Sequence, residues 1–159
     1  PGGHLMPSKE RQILERVKTQ IQNVNGSGSY SYDLSASDRV VFGDRFAPEA
    51  LPCAYVNLID INTAQDPGRT VLTRYDRTMQ IQIEAWTAVT SSTAGQSILE
   101  GCDLMDDIMR ALEDDRTLNN LARDVEIRAS AFDGQAHERP GLALAIIVCS
   151  IFYTERAGA

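Results

Sequence analysis

The chain has 159 residues, 43% hydrophobic and 23% charged, with a formal net charge of -7 at pH 7, which suits one domain with a single core. The acidic balance argues against a nucleic-acid grip, which needs a basic stripe to neutralise phosphates. The longest apolar run, residues 142–149, suits a strand and falls short of the roughly 20 residues of a membrane span.

Residues 1–5, PGGHL, precede a Met-Pro-Ser start and read as a tag remnant, leaving residues 6–159 as the domain and His137 as its one histidine. Residues 8–24 predict a helix, with Ser8 as the cap and Ile13, Leu14, Val17, Ile21 and Val24 forming one buried stripe. The Gly/Ser-rich NGSGSYSYD predicts a flexible loop that carries Tyr30 and Tyr32, residues of a type favoured at interfaces. Short strands follow at residues 39–43 and 53–61, the second opened by Pro52. Residues 69–89 read as a strand in which Met79, Ile81, Ile83 and Ala85 alternate with Gln80, Gln82, Glu84 and Trp86, giving one dry and one wet face.

Residues 91–115 predict the second helix, with capping candidates among Ser91, Ser92 and Thr93. At about 100° per residue, Ile98, Gly101, Cys102, Met105, Ile108, Met109 and Leu112 form the expected core stripe. Glu100, Asp103, Asp107, Arg110 and Asp114 then face solvent. Asp103, Asp106, Asp107, Glu113, Asp114 and Asp115 are a dense carboxylate run, but divergent carboxylates do not build a pocket. A weak site for a hard cation such as Mg²⁺ or Ca²⁺ is the remaining reading of that face. The solvated-face reading implies that Asp103→Asn with Asp107→Asn changes stability by less than about 1 kcal/mol. Leu118 and Leu121 are expected to pin the following turn to the core, before strands at residues 125–132 and 142–156. The last is apolar on both faces in its middle, as an interior strand would be. The fold class expected from this order is α+β, a mainly antiparallel sheet with two helices packed on one face.

Cys53, Cys102 and Cys149 are an odd set without CxxC spacing, so they give no disulfide framework and no zinc site. Their apolar settings predict three buried, reduced thiols. No GxGxxG, GxxxxGK[ST], GxSxG or HExxH motif occurs, and one histidine leaves little room for triads or general bases. The expectation is a protein without catalytic residues, cofactor or metal.

In order and spacing, ERQILERVKTQI, APEALPCAYVNLID, RTMQIQIEAWTAV, LMDDIMRALEDDRTLNNLARDVEI and PGLALAIIVCSIFYTER resemble the tail terminator (minor tail, or tail-completion) proteins of long-tailed phages and phage-like particles. The resemblance spans residue 8 to about residue 156. Its most particular element is the D-x-TL-x-x-L turn at residues 115–121, where members often carry two glycines in place of Asn119 and Asn120. The resemblance implies an α/β sandwich that assembles into a ring, typically a hexamer, at the head-proximal end of the tail tube. There it would halt tube polymerisation and offer a surface to the head–tail connector protein, in a virion tail assembled in the bacterial host cytoplasm. DNA would pass through the lumen without specific binding, and an acidic chain suits that.

The family fixes no interface residues by motif. Residues 26–37 and 62–77 read as loops long enough to be functional, and supply the candidate interface residues Tyr30, Tyr32, Arg69, Arg74, Tyr75 and Arg77. Another head–tail joining or neck connector protein is the alternative within the structural class. A metal-dependent enzyme using the acidic helix is the alternative outside it.

Overall fold

Ser8 opens the first helix as expected. Its hydroxyl accepts from the Arg11 backbone N–H at 3.1 Å, and α1 (Lys9–Ile21) follows. The computed structural model describes residues 7–43, 50–64, 74–90, 95–133 and 141–156, with the backbone alone for residues 74, 130–133 and 156. The predicted tag remnant, both histidines, Arg69 and the capping candidates Ser91, Ser92 and Thr93 lie outside the described residues.

Among the described residues, five strands follow the sequence patterns: β1 (Val40–Phe42), β2 (Cys53–Ala64), β3 (Arg74–Ala88), β4 (Asp124–Asp133) and β5 (Leu142–Arg156). The second helix, α2 (Gln96–Glu113), falls between β3 and β4. The strands make one sheet of order β1-β2-β3-β5-β4. It is mixed but mostly antiparallel, since β1 alone runs parallel to its neighbour β2. The fold is α+β.

Both helices bury their apolar stripes on one face of this sheet. Ile13, Val17 and Ile21 of α1 and Leu104, Ile108 and Leu112 of α2 share a core with Val56, Ile81, Ile83, Ile147 and Ile151. Each such side chain contributes roughly 1.5–3 kcal/mol on burial. The reverse face departs from the simple alternation. Gln80, Gln82 and Glu84 are half-buried there, whereas Trp86 is 5% exposed in a second cluster with Cys53, Tyr55 and Leu144. Its cross-strand neighbours explain the difference, because Trp86 lies opposite Cys53 on one side and Leu144 on the other. Periodicity within one strand cannot reveal that cover.

One loop is shorter than expected. β2 extends to Ala64 and β3 begins at Arg74, so Asn62, Arg74, Tyr75 and Arg77 belong to strands. Residues 26–37 form a loop as expected, but one tied to the core. Asn25 and Asp33 form a β-bridge, Leu34 N–H donates to Val24 C=O at 2.6 Å, and Leu34 is fully buried.

The turn after α2 holds Leu118, Asn119 and Asn120 at φ of 50, 56 and 65°, three left-handed residues in a row. Leu118 is fully buried and anchors the turn, while Leu121 is half-buried. The Asp115 carboxylate accepts from the Asn119 N–H at 2.8 Å and from Thr117, and these bonds hold its pKa below the usual carboxylate value. Asparagine tolerates the left-handed region better than most residues, and glycine adopts it freely. Asn120→Gly is expected to be neutral or to stabilise by up to about 1 kcal/mol, whereas Asn120→Val should cost about 1–2 kcal/mol, read from urea unfolding midpoints. Equal stability of the two variants would contradict the strained-turn account.

Candidate functional site

The buried stripe of α2 is rotated from the one expected. Gly101, Leu104, Asp107, Ile108, Ala111 and Leu112 are buried together with Glu100, while Ile98 and Cys102 are exposed. The backbone segment that follows α1 causes the shift, because it lies along α2 and covers Asp107. That carboxylate, 1% exposed, was expected to face solvent. Its Oδ2 accepts from the backbone N–H groups of Ser31 and Tyr32 at 2.9 and 3.0 Å, and its Oδ1 accepts from Arg110 Nη2 at 2.8 Å. The same Arg110 nitrogen donates to Ser29 C=O at 2.7 Å, and the guanidinium lies 5.4 Å from the centre of the Tyr30 ring. The premise on which the Asp103, Asp107 double substitution would be nearly neutral, a solvated Asp107, is thereby overturned.

Glu100 is the second buried acid. Its carboxylate accepts from the Thr90 N–H at 2.9 Å and the Thr90 hydroxyl at 2.6 Å, joining the end of β3 to the first turns of α2. The Tyr32 hydroxyl donates to Glu100 C=O at 3.2 Å. Burial, then the negative charges of Glu100, Asp103 and Asp107, push the Tyr32 pKa up to about 12. Asp103, Asp106, Glu113 and Asp114 are exposed, and Asp115 holds the turn described above. Among the described residues no three His, Cys, Asp or Glu side chains converge as metal ligands would. The carboxylate run thus divides into one buried structural acid, Asp107, one turn-forming acid, Asp115, and a solvated remainder, and Glu100, just before the run, is a second buried acid.

Of the six candidate interface residues Arg69 lies outside the described residues, and the structure does not gather the other five. Tyr30 and Tyr32 are half-buried against α2 within their own chain. Arg77 sits at the other end of the core, with Nη1 at 3.5 Å from Glu10 and 4.0 Å from Glu155. This ion group packs beside the fully buried Tyr153, whose hydroxyl is pushed far above its usual pKa by burial and then by Glu10. Tyr75 is half-buried on β3 opposite Glu155, and Arg74 lies opposite Arg156 in the register.

Sequence reasoning missed a different surface. Phe42, Leu58, Ile59 and Ile61 are 47, 47, 51 and 38% exposed, respectively. All four lie on or beside the outer edge of β2. The signal was present in NLIDI, where adjacent Leu58 and Ile59 break the alternation a half-buried strand would keep. A register shift between Leu58 and Asp60 marks the β-bulge that accommodates them.

The cysteines also divide. Cys53 and Cys149 are buried and Cys102 is exposed, against the expectation of three buried thiols. Burial raises the Cys53 pKa and pushes Cys149 up to about 12. A thiol reagent at pH 8 should therefore label one cysteine quickly in the native protein and all three in denaturant. Cys102→Ser should abolish the fast phase, and a fast phase that survives it would contradict the placement.

No protein-family model matches the chain, and no curated protein matches its sequence.

Proposed function

We propose that this chain is a tail terminator: a protein that forms a ring on the head-proximal end of a phage tail tube, stops tube growth there and presents a surface for head attachment. The reading is supported by the order of the sequence blocks named above together with an α+β fold of the kind that the resemblance implies. The observation that carries it is the turn after α2. Residues 118–120 are all left-handed, and Asn119 and Asn120 stand where the resembling proteins often carry glycine, the residue that meets this demand most freely. The acidic balance, -7 at pH 7, suits a lumen through which DNA passes without sticking.

In this role, shape and contact do the work. The protein would recognise the tube end, close a ring upon it and leave no site for another layer of tube subunits. Its partners would be further copies of itself, the tail tube protein and the head–tail connector.

The test is tail assembly with and without the protein, followed by electron microscopy. Tubes of defined length, each with a ring at one end, are the expected result, and overlong tubes are expected in its absence. Arg74→Glu with Tyr75→Ala, at the start of β3, tests whether that end of the strand reaches the neighbour or the tube. A protein that leaves tube lengths unaltered and never decorates tube ends is no terminator.

A further inference from the structure

We propose that residues 58–64 of β2 and residues 126–133 of β4 are two halves of one joint, by which the sheet of each copy of this chain continues into the sheet of the next. This rests on the ring-forming reading above and names its contact.

The sheet has two outer edges. β1 covers β2 only opposite residues 54–56, and among the described residues no strand lies beside residues 58–64. At the far side of the sheet, Arg116 donates to Val125 C=O at 2.6 Å, and beyond it residues 126–133 of β4 pair, among the described residues, with β5 on one side only. A bare strand edge is a template for another strand, and proteins commonly blunt it with lysine, proline or repeated charge. Residues 58–64, LIDINTA, carry neither lysine nor proline, and Asp60 is their one charge. Of the six large hydrophobic residues exposed among the described residues, four cluster here: Phe42, Leu58, Ile59 and Ile61.

The faces of the two edges match. The bulge at Ile59 leaves Leu58 and Ile61 on the helix-bearing face, opposite Ile81 and Met79, and Asp60 on the reverse face, opposite Gln80. On β4, Ile127 and Ala129 lie on the helix-bearing face, opposite Cys149 and Ile147, half-buried and exposed in turn. Arg128 lies on the reverse face with its side chain 83% exposed. Setting one copy's β4 beside the next copy's β2, with the sheet faces continuous, brings apolar side chains to Leu58 and Ile61 and places Arg128 on the side of Asp60. The joint is antiparallel, because β2 and β4 run in opposite directions within their own sheet. β1 obstructs the start of β2, so the incoming strand must slide toward the far end of β2. Such a stagger is what a sheet needs to close around an axis. Two different surfaces meet, as a head-to-tail ring requires.

The experiment uses the full chain with Cys102→Ser, carrying Asp60→Cys and Arg128→Cys together. Within one chain these positions are separated by β3 and β5, at about 4.8 Å per strand step, beyond the reach of a disulfide. Oxidation at assembling concentrations should therefore give covalent ladders longer than dimers. Dimers from Asp60→Cys alone, with no ladder from the pair, would show two β2 edges meeting and overturn the proposal. Asp60→Arg and Arg128→Asp should each weaken assembly, and the two together should restore it. Leu58→Lys with Ile61→Lys should give folded monomers with an unchanged melting temperature. Rings or capped tails without ladders overturn the joint and leave the terminator reading standing. Ladders with unregulated tail lengths uphold the joint and end the terminator reading.

Discussion

Asp107→Ala is expected to destabilise the protein by about 3 kcal/mol, the largest effect of any single polar substitution on α2. Three hydrogen bonds converge on this carboxylate, which is 1% exposed: two from the backbone N–H groups of Ser31 and Tyr32 and one from Arg110. Removing it strands two backbone donors, at roughly 1–3 kcal/mol each when left without a partner, and takes one of two counter-charges from Arg110, whose Nε stays 3.0 Å from Asp106. Arg110 is 38% exposed and turns partly to water, so the total falls below the sum of those costs. Asp107→Asn keeps one acceptor oxygen and should cost about half as much. Asp103→Asn, on the exposed side, should stay within about 0.5 kcal/mol. Urea unfolding with unchanged m-values measures all three. A loss below about 1 kcal/mol for Asp107→Ala would mean that residues 29–32 are not held as described.

Gln20 is the second sensitive point. It is 1% exposed, and its side-chain nitrogen lies 3.3, 3.3 and 3.2 Å from the carbonyl oxygens of Ala111, Leu112 and Asp115. The last carbonyls of a helix have no partners within it, so Gln20 of α1 caps the end of α2. Gln20→Ala should cost about 2–3 kcal/mol through lost packing and unmet acceptors. Gln20→Glu should cost more at neutral pH, because a carboxylate would face three carbonyls at the negative end of a helix. In that variant the protonated acid is favoured in the folded state, so the folded pKa rises above the unfolded value of about 4.3. Its stability should be fully present below that unfolded value and lost as pH rises through the folded one. A Gln20→Glu protein whose stability is flat from pH 4 to pH 8 would contradict the cap.

Much of the architecture was legible because local chemistry and tertiary demand agree. Ser8 caps the helix it precedes, the alternation of β3 separates the core face from the other, and β5 has the bounds expected of the last strand, residues 142–156. The misreadings share a cause. The exposed side of α2 was inferred from the helical spacing of its apolar residues, yet Asp107 is buried because backbone N–H groups distant in sequence come to it, and such donors leave no residue signature. Trp86 was placed in water because the neighbours that cover it come from β2 and β5. Of the candidate site, the tyrosines were recognised as unusual, but the reason found is packing and hydrogen bonding within the chain. The apolar edge of β2 was readable in NLIDI and was passed over because its residues also suit a buried strand.

β5 follows every other element along the sequence and yet lies between β3 and β4. During synthesis, at roughly 5–20 residues per second, the ribosome delivers the β2–β3 pair and the α2–β4 unit well before the strand that joins them. Until then, one edge of β3 and one of β4 stand open on the nascent chain, and neither helix has a finished sheet to rest on. Closure of the sheet is therefore a late, long-range event of the kind that slows folding. During that delay the open edges of β3 and β4 are available to a chaperone or to a strand of another chain, and the arrival of β5 removes both targets at once.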